Sequence, residues 1–280
     1  MKIGVIGTDS SHAIAFATRL QEKGHDIIAF KGGSSLALSQ SRIETITMQL
    51  KERGVTFVET LEQLHKQCDA FLITSVDAAQ HRIQFEELAL SNKPVFIDKP
   101  LATTSEQASK IIKLAQRRGI PLMSCSALRF ADCVQQAKNK SIEAVDVVAP
   151  LLMLEPYDYF YYGIHTLEMI AALKPVAIQS LTVQCQAEQH FITLHFEDGT
   201  ISTIRGYLQK RQSFQFAVHD AAISHWYEIA AGDVHFYDRL VDEIEQFFII
   251  KKSPVTEAET LQIIRTLEQI TAGAKQVMNV

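Results

Sequence analysis

Over its first 126 residues the chain alternates short apolar runs with stretches of helical spacing, and this alternation limits the fold more than any other feature. Residues 2–6, 26–30, 55–58 and 70–74 read as strands, as do Val95-Phe96-Ile97 and residues 121–126. Between them, Ala13, Phe16, Ala17 and Leu20 share one helix face. So do Ile43, Ile46 and Leu50, and further on Ala108, Ile111, Ile112 and Ala115. Gly24, Gly54 and Gly119 stand where these helices should stop, and Thr104 with Gln107 forms a capping box. Strands joined through helices predict a mainly parallel, doubly wound sheet with helices on both faces.

Beyond residue 127 the pattern changes. One helix starts near Gly163, carries His165 and stops before Pro175. Leu181, Val183 and Cys185 alternate with polar residues, and Ile192, Leu194 and Phe196 lead into Asp198-Gly199, a two-residue hairpin signal. Residues 200–207, 214–218 and 226–229 continue as strands, and two helices close the chain, the second opened by Thr256 and Glu259. These runs predict a predominantly antiparallel sheet with helices on one face. The expected division is a dinucleotide-binding domain over 1–126 and a substrate or oligomerisation domain over 127–280, which a chain of 280 residues can accommodate.

Charge and composition exclude several functions. A net charge of -5 without a basic block argues against nucleic acid or an anionic membrane as partner. Cys68, Cys125, Cys133 and Cys185 are scattered, so free thiols in a reducing cytoplasm are expected. The ten histidines form no ligand cluster, and no metal is expected. Thr8-Asp9-Ser10-Ser11-His12 interrupts what would otherwise imitate a signal-peptide core, and no run is long enough to cross a bilayer. A soluble cytoplasmic protein is the expectation.

The chemistry should lie at strand ends. Asp98-Lys99-Pro100 closes the run Val95-Phe96-Ile97, and in an open α/β sheet ligands bind at the carboxyl ends of strands. A partly desolvated ammonium there can acquire a lowered pKa suited to proton transfer, and position alone leaves a plain surface lysine after a strand equally open. The turn after the first strand reads Gly7-Thr8-Asp9-Ser10-Ser11-His12, and only Gly7 matches the first glycine of a dinucleotide fingerprint. Asp9 takes the second glycine's place and His12 the third. A carboxylate about 4 Å from a phosphate charge costs on the order of 4 kcal/mol at an effective dielectric near 20. The helix N-terminus returns only about 0.3–2 kcal/mol. Either Asp9 turns away, as a helix cap for example, or the dinucleotide binds weakly. Ser10 and Ser11 offer hydroxyls to a phosphate, and Lys31 with Ser34 and Ser35 suits a 2′-phosphate, which tilts the expected cofactor toward NADP over NAD. Spacing alone leaves His165, His81 and Arg129 open between structural and site roles, and the same holds for the aromatic stretch Tyr157 to Tyr162.

These residues together resemble the Gfo/Idh/MocA family, which includes glucose-fructose oxidoreductase and inositol dehydrogenase. Asp98-Lys99-Pro100 is similar to its Glu-Lys-Pro, Arg129-Phe130 to its Arg-Phe, and Gly163-Ile164-His165 to its Gly-x-His. The stretch from Asp69 through His81 to Pro100 and the ending around Thr256-Glu257-Ala258 are similar as well. The resemblance implies a Rossmann-type first domain and hydride transfer between NAD(P) and a sugar, inositol or related polyol. In it Lys99 would touch substrate and the nicotinamide ribose, and His165 would be the general acid/base. Ser75 and Val76 would line the nicotinamide, within a cofactor site that also takes Gly7, Thr8, Asp9, Ser10, Ser11, His12, Lys31, His81 and Asp98. Tyr161, Tyr162 and Arg129 would face substrate, and the second sheet would join copies into a dimer or tetramer. Many members carry an aspartate four residues before the histidine, where this chain has Tyr161. A non-catalytic relative that binds a small molecule, with weak or no dinucleotide binding, is the alternative.

Overall fold

In the computed structural model the first sheet is parallel throughout, in the order β3-β2-β1-β4-β5-β6. Its elements are β1 (Lys2–Ile6), α1 (Ser11–Glu22), β2 (Asp26–Phe30), α2 (Ala37–Glu52), β3 (Thr56–Val58) and α3 (Leu61–Gln67). They continue with β4 (Ala70–Ile73), α4 (Ala79–Leu88), β5 (Val95–Ile97), α5 (Ser105–Arg118) and β6 (Leu122–Met123). Every residue of β4 and β5 is buried, as strands covered on both faces must be. The glycines that should end helices do so: Gly24, Gly54 and Gly119 all have positive φ. At α5 half of the expected box forms, with the Gln107 amide donating to Thr104 Oγ1 at 3.2 Å. The structure describes residues 1–138, 140–153, 155–209, 213–230 and 232–278.

The second sheet has the order β12-β11-β7-β10-β9-β8. It follows α6 (Asp132–Ala137) and comprises β7 (Ala144–Pro150), then, beyond α7 (Gly163–Leu173), β8 (Ile178–Cys185), β9 (Gln189–Phe196), β10 (Ile201–Tyr207), β11 (Phe214–His219) and β12 (Ser224–Ile229). Helices α8 (His235–Ile250) and α9 (Glu257–Met278) end the chain. The sheet is antiparallel except where β7 pairs parallel with β10. Asp198-Gly199 makes the expected turn between β9 and β10, with Gly199 at φ +81°. Strand β7 went unread in the sequence because Asp146 and the terminal Pro150 break its apolar run, and proline is unusual inside a sheet. Its Val145 and Val147 are nonetheless buried.

Two compact units result: Met1–Cys125 with Tyr237–Thr260, and Ser126–Phe236 with the chain from Leu261 on. Most of α8 therefore belongs with the first sheet, not with the second domain to which the sequence assigned it. Paired charges tie it there: Arg19 Nε lies 2.5 Å from Asp238, and Lys23 Nζ lies 2.6 Å from Asp242 and 3.0 Å from Glu245.

Candidate active site

In the first unit the strand order reverses between β1 and β4, the point where an open sheet leaves a crevice for ligands. Gly7 follows β1 there at φ +88°, and a Cβ on it would stand 2.2 Å from Ser75 Oγ and 2.5 Å from Ser75 Cα. Only glycine fits that approach. The Gly7 and Thr8 amides donate to the carbonyls of Phe30 and Lys31 at 3.2 and 2.9 Å, which fixes the turn against β2. Thr8 Oγ1 is buried 2.6 Å from Thr47 Oγ1.

Asp9 turns inward. Its carboxylate accepts from the Val76 amide at 3.0 Å and from Ser39 Oγ at 2.6 Å, with the residue fully buried. It is not a helix cap: the N-cap of α1 is Ser10, and no side-chain hydrogen bond caps that helix. Ser10 Oγ donates to the Thr74 carbonyl at 2.7 Å, so the hydroxyl expected for a phosphate is spent on holding β4. Ser11 is exposed at the start of α1, where the first helical amides have no partner within the helix. Ser75 Oγ pairs with the Gln84 amide group at 2.8–3.0 Å. Lys31 Nζ lies 2.5 Å from Glu44, so the charge expected for a 2′-phosphate already has an acidic neighbour.

At the end of β5, Asp98 Oδ2 lies 2.5 Å from His12 Nδ1, and Tyr237 Oη lies 3.1 Å from His12 Nε2. Burial alone would raise the Asp98 carboxyl, but the His12 imidazole, with Lys99 and His81, outweighs it and holds the group below its ordinary range. Lys99 is half-buried, and burial pushes its ammonium pKa down against the opposing pull of Asp98. His81 is buried with its ring nitrogens 3.0 Å from the Pro100 carbonyl and 2.9 Å from the Ser75 carbonyl. It ties the turns after β4 and β5 together.

The second unit positions His165 in the first turn of α7. Gly163 opens that helix because a Cβ there would meet Leu151 at 3.1 Å and Tyr159 at 3.3 Å. His165 Nδ1 lies 2.6 Å from Ser126 Oγ, and the ring sits edge-on to Tyr162 and Phe214 at centroid distances of 6.4 and 5.7 Å. Tyr161 packs beside Tyr162 at 5.5 Å. Arg129 lies in the same unit. Its Nη1 lies 2.6 Å from Glu168 Oε2, and both residues are buried, so it is ion-paired to α7.

Known proteins share part of this sequence and its fold. Residues 1–125 fit the Gfo/Idh/MocA family model, described as "Oxidoreductase family, NAD-binding Rossmann fold". Inositol 2-dehydrogenase of Klebsiella pneumoniae subsp. pneumoniae is 34% identical over 85 residues, which is 30% of this chain and 25% of that protein. The match thus spans a quarter of the curated relative's length. The fold extends further. The structure of myo-inositol dehydrogenase from Lactobacillus casei, in complex with NAD(H) and myo-inositol, superposes with a TM-score of 0.77 at 15% identity, over 98% of this chain and 94% of that one. UDP-N-acetylglucosamine 3-dehydrogenase GnnA from Acidithiobacillus ferrooxidans gives 0.77 at 12%, over 100% and 99%.

Relative to this family's pattern, two of the chain's departures touch each other: Asp98, in place of the glutamate of Glu-Lys-Pro, and His12, in place of the third glycine. Ser126, Tyr237 and Glu168 were missed in the sequence. Glu168 had a signal, being the one acid in the otherwise uncharged Gly163–Leu173 helix, where burial demands a partner. Ser126 and Tyr237 had none, since each lies far along the chain from the histidine it meets.

Proposed function

We propose that the protein is an NAD(P)-dependent oxidoreductase that moves a hydride between the nicotinamide and a hydroxyl or carbonyl carbon of a sugar, inositol or related polyol. What carries this reading is the carboxyl edge of the first sheet, where Gly7, the N-terminus of α1 and a half-buried Lys99 with a depressed pKa occur together. The glycine turn and the N-terminus of α1 suit a pyrophosphate, and Ser75 and Val76 flank the nicotinamide end. Lys31 keeps NADP slightly favoured, though Glu44 opposes a phosphate beside it, so both cofactors are candidates. When bound, the nicotinamide supplies the hydride acceptor or donor. The hydroxyl proton must leave separately, and Lys99 and His165 are the groups proposed to manage it.

The test is spectrophotometric: reduction of NAD⁺ or NADP⁺ with myo-inositol, scyllo-inositol and a panel of hexoses and polyols. Turnover is expected with at least one of them. Lys99→Ala should lower it about 10²- to 10⁴-fold while the melting temperature stays within a few degrees. No reduction with any substrate, or full activity in Lys99→Ala, would refute the assignment. The second reading, a small-molecule binder without hydride chemistry, is favoured by Asp9 and by the engaged Ser10 hydroxyl. We also propose that copies associate through the half-exposed face of β8–β10, where Phe191 and Arg205 stack at 4.6 Å. Light scattering on the purified protein would read the oligomer directly. A cytoplasmic setting accords with the free cysteines, of which Cys68 is pushed up to about 11 by burial.

A further inference from the structure

A cavity of about 220 Å³ opens on the exposed side of β8, β9 and β10, lined by Gln184, Gln186, Gln189, Phe191 and Arg205. All five belong to the second unit. The strand register builds the cluster, since Phe191 pairs with Gln184 of β8 on one side and with Arg205 of β10 on the other. Arg205 sets the direction of the hydrogen bonds in this wall. A guanidinium can only donate, so the Gln189 atom 2.8 Å from its Nη1 is the carbonyl oxygen. The Gln189 amide nitrogen is thereby directed onward, and it donates to Gln186 Oε1 at 2.8 Å. Both carbonyl oxygens of the chain already accept a bond. The unused groups of the chain are therefore mostly N–H: further donors of the guanidinium and the NH2 group of Gln186. Phe191 lies against the guanidinium carbon, 4.6 Å from the ring centroid, and shields that side of the cation from water. Among the described residues no carboxylate pairs with Arg205.

We propose that this cavity is a binding site for a small organic carboxylate, whose oxygens accept from the Arg205 guanidinium and the Gln186 amide. A wall rich in donors, with one fixed positive charge, selects a ligand that only accepts, and the planar guanidinium fork matches a carboxylate. One cation balances one carboxylate, whereas a phosphate monoester brings a charge of about -1.5 to -2. The volume lies below the roughly 300–1,000 Å³ of drug-sized ligand sites, which sets the occupant at the size of a di- or hydroxycarboxylate. Gln184 adds an amide that can bond a second carboxyl or a hydroxyl of such a molecule. The site shares no residue with the candidate dinucleotide turn and stands whether or not the protein transfers hydride. Strands β8–β10 also carry the face proposed for association of copies, so a second copy is the rival occupant.

Calorimetric titration of the full chain with succinate, malate and citrate, and with inorganic phosphate as the contrasting anion, reads the site without any activity. Saturable binding is expected for at least one carboxylate, with a Kd between about 10 μM and 5 mM, and phosphate should bind at least about tenfold more weakly. Gln189→Glu is nearly isosteric and supplies a carboxylate beside Arg205 from the chain itself, so it should abolish binding. Arg205→Gln should weaken it at least about tenfold. Gln186→Ala, at an exposed position beyond the end of β8, provides a variant whose folding is not at stake, and it should weaken binding several-fold. No saturable heat from any of the three carboxylates by about 20 mM, phosphate binding as tightly as they do, or folded Gln189→Glu binding like the wild type would overturn the proposal. Light scattering run alongside identifies the rival: an oligomer that takes up none of the carboxylates means that a second copy covers the cavity, and the proposal falls.

Discussion

The two sheets place their candidate functional residues by different means. In the first, strands buried on both faces end abruptly, and the site residues gather at those ends: Gly7 and Asp9 after β1, Ser75 after β4, Asp98 and Lys99 after β5. In the second, β9 alternates, with His190, Ile192, Leu194 and Phe196 buried while Gln189, Phe191, Thr193 and His195 are half-exposed. No strand end there carries the candidate histidine. His165 sits on a helix whose placement depends on a buried ion pair and one serine hydroxyl. The parallel sheet gathers its candidates through its topology, whereas the candidate histidine of the second unit sits among polar contacts.

The contrast breaks most readily at the ion pair. Glu168→Ala leaves the Arg129 guanidinium buried without its carboxylate, and a loss of about 3–5 kcal/mol is expected in urea unfolding. A loss below about 1 kcal/mol would mean that packing alone fixes α7. The same assay sharpens the difference between covered and open faces. Phe71→Ala, at a fully buried position of β4, should cost about 3–5 kcal/mol. Phe191→Ala, on the half-exposed face of β9, should cost under about 1 kcal/mol in the monomer. Comparable losses for the two would show that the second sheet's outer face is covered in solution.

The smallest effect is a pH dependence at the end of β5. The folded Asp98 carboxyl is held below its ordinary value, so its contribution to stability is complete above the unfolded carboxylate range. That contribution is lost as pH falls through the lower, folded value. Melting temperatures followed downward from about pH 6 should fall less steeply for Asp98→Asn than for the wild type. Parallel curves would remove the His12–Asp98 pair from the acid sensitivity of the fold.

The same contrast explains what the sequence disclosed. Continuous apolar runs such as Val95-Phe96-Ile97, with glycines closing the helices between them, made the parallel unit readable and pointed to Lys99 at a strand end. Strand β7 escaped because Asp146 and Pro150 obscure its period. Side-chain destinations were the harder part. Whether Asp9 faces a phosphate or the protein depends on Ser39 and the Val76 amide, residues 30 and 67 positions away. For Arg129 nothing in the sequence named its partner Glu168, which α7 brings to it. Residue type and spacing suggested candidates, and long-range hydrogen bonds decided which way each one points.

Titration of NADH and of NADPH into the purified protein, followed by nicotinamide fluorescence, tests the central claim most directly. With the Asp9 carboxylate hydrogen-bonded inward to Ser39 and the Val76 amide, saturable binding is expected between about 1 μM and 1 mM for at least one cofactor. Absence of any binding by about 1 mM for both would contradict the account and leave a Rossmann fold that no longer holds a dinucleotide.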